Sequence, residues 1–132
     1  GSDVAAVLIE PIQGIAGVIA APEGFLQGAR KLCDTHGAKL ILDEIQTGMG
    51  RTGRPLACHG SPAAAPDLVT VGKSLGAGFP VAALLLTEAM AATIQPGEHG
   101  STCPGRRKGN LRTDNARLER SACAALAWTL YR

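Results

Sequence analysis

The chain has 132 residues, of which 45% are hydrophobic, 18% charged and only 3% aromatic, with a formal net charge of +2. That length suits one domain or part of one, and so ordinary an apolar fraction excludes a wholly disordered chain. Apolar runs such as Val81–Leu86 fall far short of the roughly 20 residues a membrane span needs.

The chain opens Gly-Ser-Asp-Val, with no initiator methionine and no Arg- or Lys-headed apolar leader. The expectation is a cytoplasmic segment of something longer. Val4 to Ile9 (VAAVLI) is continuously apolar with β-branched members, the pattern of a strand buried on both faces. Glu10-Pro11 stops it, because proline cannot continue a ladder. A Gly-rich loop leads to Ala21-Pro22. Pro22 and Glu23 at the start and Gly37 past the end bracket a helix. Leu26, Ala29, Leu32, Cys33 and His36 recur at helical spacing, while Gln27, Arg30, Lys31 and Asp34 face outward.

Ala38 to Leu42 (AKLIL) is a second strand, ending in Asp43-Glu44. Strand, helix, strand predicts a parallel pair with a right-handed crossover. A Gly-rich loop runs from Thr47 to Gly53, and Asp67 to Gly72 (DLVTVG) is a third strand followed by Lys73. Val81 to Thr87 (VAALLLT) follows so closely that an antiparallel return is the natural connection. Glu88 to Ile94 reads as a short helix and Gln95 to Gly105 as a loop; beyond Asp114 an Ala- and Leu-rich helical pattern runs to the end.

Two further features bear on function class. Cys33, Cys58, Cys103 and Cys123 are widely spaced without a C-x-x-C pair, which predicts reduced thiols and neither a disulfide framework nor a metal site. Residues 1–105 hold 6 Lys/Arg against 9 Asp/Glu, whereas residues 106–132 hold 7 against 2. A basic tail of this kind could touch nucleic acid or an anionic surface, but it has no interleaved aromatics for base stacking, and a solvated segment is the favoured reading.

Glu10, Asp43 and Lys73 each come directly after an apolar strand. In an open parallel sheet the ligand crevice lies at the carboxyl ends of the strands, so one edge receives two carboxylates and an amine. A surface lysine at a strand end is the plain alternative for Lys73. Its neighbours Val71-Gly72 and Ser74-Leu75 are not a solvated composition, however. A desolvated amine there becomes a nucleophile for carbonyls and forms a Schiff base. Asp43 reads either as a turn acid or as a buried acceptor for a cationic ring nitrogen. Gly48-Met49-Gly50-Arg51-Thr52-Gly53 fits G-x-G-x-x-G, yet four residues separate it from the strand and Arg54-Pro55 follows it. It reads as a wall of the same crevice rather than a dinucleotide site.

The segments VLIEPIQG (Val7–Gly14), APEGFLQGARKLCDTHGAKLILDEIQTGMGRTG (Ala21–Gly53), PDLVTVGKSLGAGFPVAA (Pro66–Ala83) and PGEHGST (Pro96–Thr102) resemble, in order and spacing, the large domain of the class III aminotransferases. PGEHGST suits the acetylornithine/succinyldiaminopimelate subfamily of arginine and lysine synthesis. The resemblance implies an α/β fold: part of the large domain of a fold-type I transferase dependent on pyridoxal 5'-phosphate, mostly parallel with one antiparallel strand. Residues 1–105 would be the partial cofactor-binding domain, 106–121 an atypical basic insertion and 122–132 the start of an Ala-rich helix.

The resemblance also implies roles. Lys73 would hold the cofactor and later shuttle a proton. Asp43 would keep the pyridine nitrogen protonated, making the ring an electron sink. Gln46 would lie beside the ring's phenolic oxygen, Ser101 and Thr102 would bind the cofactor phosphate across the interface of a homodimer, and Glu10 would be a polar wall of the substrate pocket. The implied reaction moves an amino group from an acetylornithine-like ω-amine to 2-oxoglutarate, with amino-acid and 2-oxo-acid substrates, no metal and no membrane. Two departures stand out. The family's E-P-I-Q-G-E ends here in Ile15, and Cys103-Pro104-Gly105 with the basic stretch replaces an aromatic, glycine-rich continuation. The phosphate loop, ring-stacking aromatic and substrate arginine of full-length relatives fall outside these segments, so weak cofactor retention by this chain is expected. A remnant of the fold that neither binds cofactor nor turns over, and a nucleic-acid-binding module using the basic tail, are the competing readings.

Overall fold

Strand β1 (Ala6–Ile9) starts the chain's sheet, and helix α1 (Phe25–His36) carries it across to β4 (Lys39–Asp43). Between them Ile12–Gln13 (β2) and Ile19–Ala20 (β3) pair antiparallel, giving the Gly-rich stretch read as a loop a small hairpin. Strands β5 (Leu68–Val71), β6 (Ala82–Leu86) and β7 (Ala125–Thr129) complete a sheet of order β1-β4-β5-β6-β7, and α2 (Glu88–Ala91) follows β6. The computed structural model describes residues 3–94 and the backbone of residues 125–129.

β1, β4 and β5 are parallel neighbours, as the βαβ reading requires. β6 returns antiparallel to β5, the predicted tight connection. β7 runs parallel to β6, so the β5–β6 junction is the sheet's antiparallel seam. The Ala-rich helix expected from residue 122 is corrected here: Ala125–Thr129 is a strand. Short apolar runs carry no decisive period of their own, and the free edge of β6 supplies hydrogen-bond partners that a lone helix lacks. The loop expected over 95–105 and the basic stretch 106–121 lie outside the described residues.

α1 begins at Phe25, three residues after the proline expected to open it; its first turn is entered through Gly24 at φ 78, with no side-chain cap. Its end is as expected. Gly37 adopts φ 68, and its N–H and that of Ala38 both return to the Cys33 carbonyl. α2 stops at Ala91, short of the expected Ile94, and Thr87 caps it by accepting from the Met90 N–H at 3.4 Å.

Side-chain alternation decides what each face of the sheet does. Leu40, Leu42, Val69 and Val71 are buried against α1 residues Leu26 and Cys33 and the turn residues Leu56, Cys58 and Ala64. Register places Leu8, Ile41, Asp43, Leu68 and Thr70 together on the opposite face. Leu8 there is 63% exposed, so the Val4–Ile9 run, expected to be buried on both faces, is only partly covered on one. Among the described residues, the helix packed on these strands lies on a single side.

At the amino-terminal end of these strands, Arg30 Nη1 donates to Asp67 Oδ2 at 2.7 Å, and the Leu40 N–H donates to the same oxygen at 2.9 Å. Burial alone would raise the Asp67 carboxyl. Arg30, the Leu40 N–H and Lys39 together hold it below the usual carboxylate range. This cluster ties α1 to β4 and β5 at the end of the sheet away from the ionisable strand ends.

Candidate active site

Three adjacent parallel strands deliver Glu10, Asp43 and Lys73 to one edge, with Asp43 opposite Thr70 and Lys73 three residues beyond it. Asp43 is half-buried. Its Oδ1 accepts from Thr70 Oγ1 at 3.0 Å and from the Ile45 N–H at 3.0 Å. Both donors use the same oxygen, so Oδ2 has no hydrogen-bond partner among the described residues.

Lys73 opens a single 3-10 turn, Lys73–Gly76, with its own backbone at φ 45. A left-handed conformation at a residue with a long side chain is unfavourable by about 1–2 kcal/mol and recurs at functional sites. Its amine donates to Gln46 Oε1 at 2.5 Å. Lys73 and Gln46 are both exposed, so the desolvation expected around the amine is not supplied by the described residues.

Glu10 Oε2 accepts from the Gly14 N–H at 3.0 Å, at the foot of the β2–β3 hairpin. The same carboxylate and Asp43 line a groove of about 760 Å³ whose other walls include Leu8, Ile15, Ile19 and Phe25. A volume of that order is within the range of roughly 300–1,000 Å³ typical of small-molecule sites. Neither Lys73 nor its partner Gln46 is among the residues lining that groove; Gln46 lies beside Gly14, whose N–H Glu10 holds. Ile15 is fully exposed at the groove's rim. Ser101 and Thr102 lie outside the described residues.

The glycine-rich loop touches the lysine turn, Arg51 Nη2 donating to Ser74 Oγ at 3.1 Å, but none of its residues lines the groove, so the wall expected of it is not found there. No helix opens at Gly53, as a dinucleotide fingerprint would require. Gly48 is there for close approach: its N–H donates to the Glu44 carbonyl at 2.8 Å, and a Cβ would stand 2.7 Å from that oxygen.

The residue that sequence reasoning passed over is Glu44. It is 0% exposed. Its carboxylate accepts from the Ala57 N–H at 2.6 Å, the Cys58 N–H at 2.8 Å and Thr47 Oγ1 at 3.1 Å, closing the loop between residues 47 and 58. The available signal was phase: one residue after Asp43, alternation turns a side chain toward the Leu40–Leu42 face, where a carboxylate must be fully hydrogen-bonded. Burial pushes the neighbouring Cys58 thiol up to about 12, and the Glu44 carboxylate adds to it. Cys33 and Cys58 are free and buried, as expected of unpaired thiols. Among the described residues there is no metal-ligating cluster and no helix long and apolar enough to cross a membrane.

The family described as Aminotransferase class-III matches residues 1–107. The chain is 53% identical over 105 residues to the acetylornithine aminotransferase of Neisseria meningitidis serogroup A, covering 80% of this chain and 26% of that protein. It is 54% identical, with the same coverage, to the acetylornithine aminotransferase of Xanthomonas axonopodis pv. citri. It spans about a quarter of the length of these curated relatives. Among solved structures it is similar to N-acetylornithine aminotransferase from Stenotrophomonas maltophilia at TM-score 0.58 and 57% identity, covering 60% of this chain and 21% of that one. Ornithine aminotransferase from Plasmodium yoelii matches at TM-score 0.67 and 39% identity, covering 75% and 26%. With an α/β sheet, a lysine at the end of its third parallel strand and these relatives, the chain belongs to the class III aminotransferase family.

Proposed function

We propose that this chain is the lysine-bearing segment of a pyridoxal-phosphate enzyme that moves an amino group from an acetylornithine-like ω-amine to 2-oxoglutarate. The observation that carries the reading is the Lys73–Gln46 hydrogen bond on a strained turn, next to the strand that ends in Asp43. The residues fit the cofactor chemically. Lys73 offers an accessible amine for an aldehyde, and Asp43 keeps one carboxylate oxygen unpartnered among the described residues, as a protonated ring nitrogen needs.

When bound, the cofactor supplies a ring that withdraws electrons from the carbon bearing the substrate's amino group. Lys73 Nζ would hold it and would carry the proton. Gln46 Oε1 orients that nitrogen by accepting its hydrogen bond. Asp43 Oδ1 is fixed by Thr70 and Ile45, so Asp43 would be the carboxylate that partners the ring nitrogen. Ser101 and Thr102 would bind the phosphate across a homodimer interface, and Glu10 would wall the substrate groove. A cytoplasmic location agrees with the two buried free thiols.

The test is borohydride trapping with excess pyridoxal phosphate, followed by peptide mapping. The label should fall on Lys73 in preference to the exposed Lys31 and Lys39, and should be lost in Lys73→Ala. Equal labelling of the three lysines would overturn the reading. It would instead favour an inactive remnant of the fold, which the open, exposed setting of Lys73 and Gln46 supports as a second reading.

A further inference from the structure

Gly14 lies far from Lys73 in sequence. Its backbone is held from both sides. The N–H donates to Glu10 Oε2 at 3.0 Å, and the carbonyl accepts from the Gly17 and Val18 N–H groups, each at 3.2 Å. Against this pinned backbone rests the amide of Gln46. A Cβ at Gly14 would stand 2.6 Å from Gln46 Nε2, 2.9 Å from Cδ and 3.1 Å from Oε1. Those are distances a methyl group cannot occupy, so the methyl and the amide exclude one another.

We propose that Gly14 is a positioning residue for the Lys73 amine: its missing side chain is the seat of the Gln46 amide, and that amide in turn fixes Nζ. The proposal deepens the transaminase reading and rests on it for the meaning of Lys73. Glycine is required here for space and not for backbone freedom, since Gly14 is not among the residues with positive φ. Alanine is therefore compatible with the local backbone. Because the backbone is tied by three hydrogen bonds and Gln46 is the flexible, exposed partner, the side chain yields. Gln46 swings off its seat, and the hydrogen bond to Lys73 goes with it. Glu10 thereby acquires a second task besides walling the groove, that of holding the seat still.

The experiment measures acetylation of Lys73 by acetic anhydride at fixed pH, read by peptide mass spectrometry on the 132-residue chain without cofactor. An amine released from Gln46 should label roughly five-fold faster, the factor that one hydrogen bond of average strength represents. Gly14→Ala and Gln46→Ala should each show that acceleration, and the double variant should label no faster than Gln46→Ala alone. Such non-additivity is expected only if Gly14 acts through Gln46. Gly28→Ala, whose added methyl meets nothing within 4 Å, should label like the wild type. A wild-type rate in Gly14→Ala, or effects that multiply in the double variant, would overturn the proposal. Should Gly14→Ala lose its circular-dichroism signature, Glu10→Ala replaces it with the same two outcomes. Labelling needs no cofactor, so its failure counts against the seat alone, whereas failure of borohydride trapping at Lys73 counts against the transaminase reading.

Discussion

Replacing Glu44 by alanine removes the acceptor for three donors at once, in a place water does not reach. The Ala57 and Cys58 N–H groups lose partners at 2.6 and 2.8 Å, and Thr47 Oγ1 loses one at 3.1 Å. The threonine hydroxyl can rotate to another acceptor, but the two amides are fixed by the 3-10 turn they begin. Each stranded amide costs about 1–3 kcal/mol, so Glu44→Ala should lose about 2–6 kcal/mol of unfolding free energy. That is a large share of the 5–15 kcal/mol or so that stabilises an ordinary domain. Glu44→Gln should fall between, because one amide oxygen remains to accept while the new NH2 group faces a donor.

Urea denaturation gives the stability change, and the rate of thiol labelling by an aromatic disulfide reports the loop locally. In the wild type Cys58 should label very slowly, since burial and the Glu44 carboxylate both disfavour its thiolate. Glu44→Ala should accelerate labelling of Cys58 while leaving Cys33, buried on the sheet-facing side of α1, unchanged. A loss below about 0.5 kcal/mol, the scatter of ordinary surface substitutions, together with an unreactive Cys58, would refute the view that this carboxylate closes the loop.

Two more predictions concern the scaffold. The Asp67 carboxyl is held below its usual value in the folded chain, so its contribution is fully present above the unfolded carboxylate's pKa of about 3.9 and is lost as pH falls through the folded value. Urea midpoints should therefore drop as pH falls below about 4, and Asp67→Asn should flatten that acid limb; an unchanged limb would show that other carboxylates govern it. Gly37→Ala puts a Cβ on a backbone at φ 68 and should destabilise by about 1–2 kcal/mol in thermal melts, whereas equal stability would mean the helix end relaxes out of its left-handed cap.

Much of the architecture is written in local pattern. The run before Glu10, the proline and glycine around α1, and the run before Asp43 define a βαβ unit, because hydrophobic period and chain punctuation are properties of neighbouring residues. The same holds for the three ionisable groups at strand ends, whose common edge follows from parallel pairing alone. Faces, partners and seats are another matter. Whether Ala125–Thr129 is helix or strand was decided by the vacant edge of β6, a partner tens of residues away. That Glu44 is a buried loop clamp while Asp43 belongs to the groove depends on which side of β4 the packed helix occupies. The contact of Gly14 with Gln46 joins two loops that no periodicity relates. Local sequence determined which elements form and where their charged ends fall, since those depend on backbone sterics and spacing. Only the tertiary structure decided which of those charges is buried, paired or open, because that depends on what packs against each face.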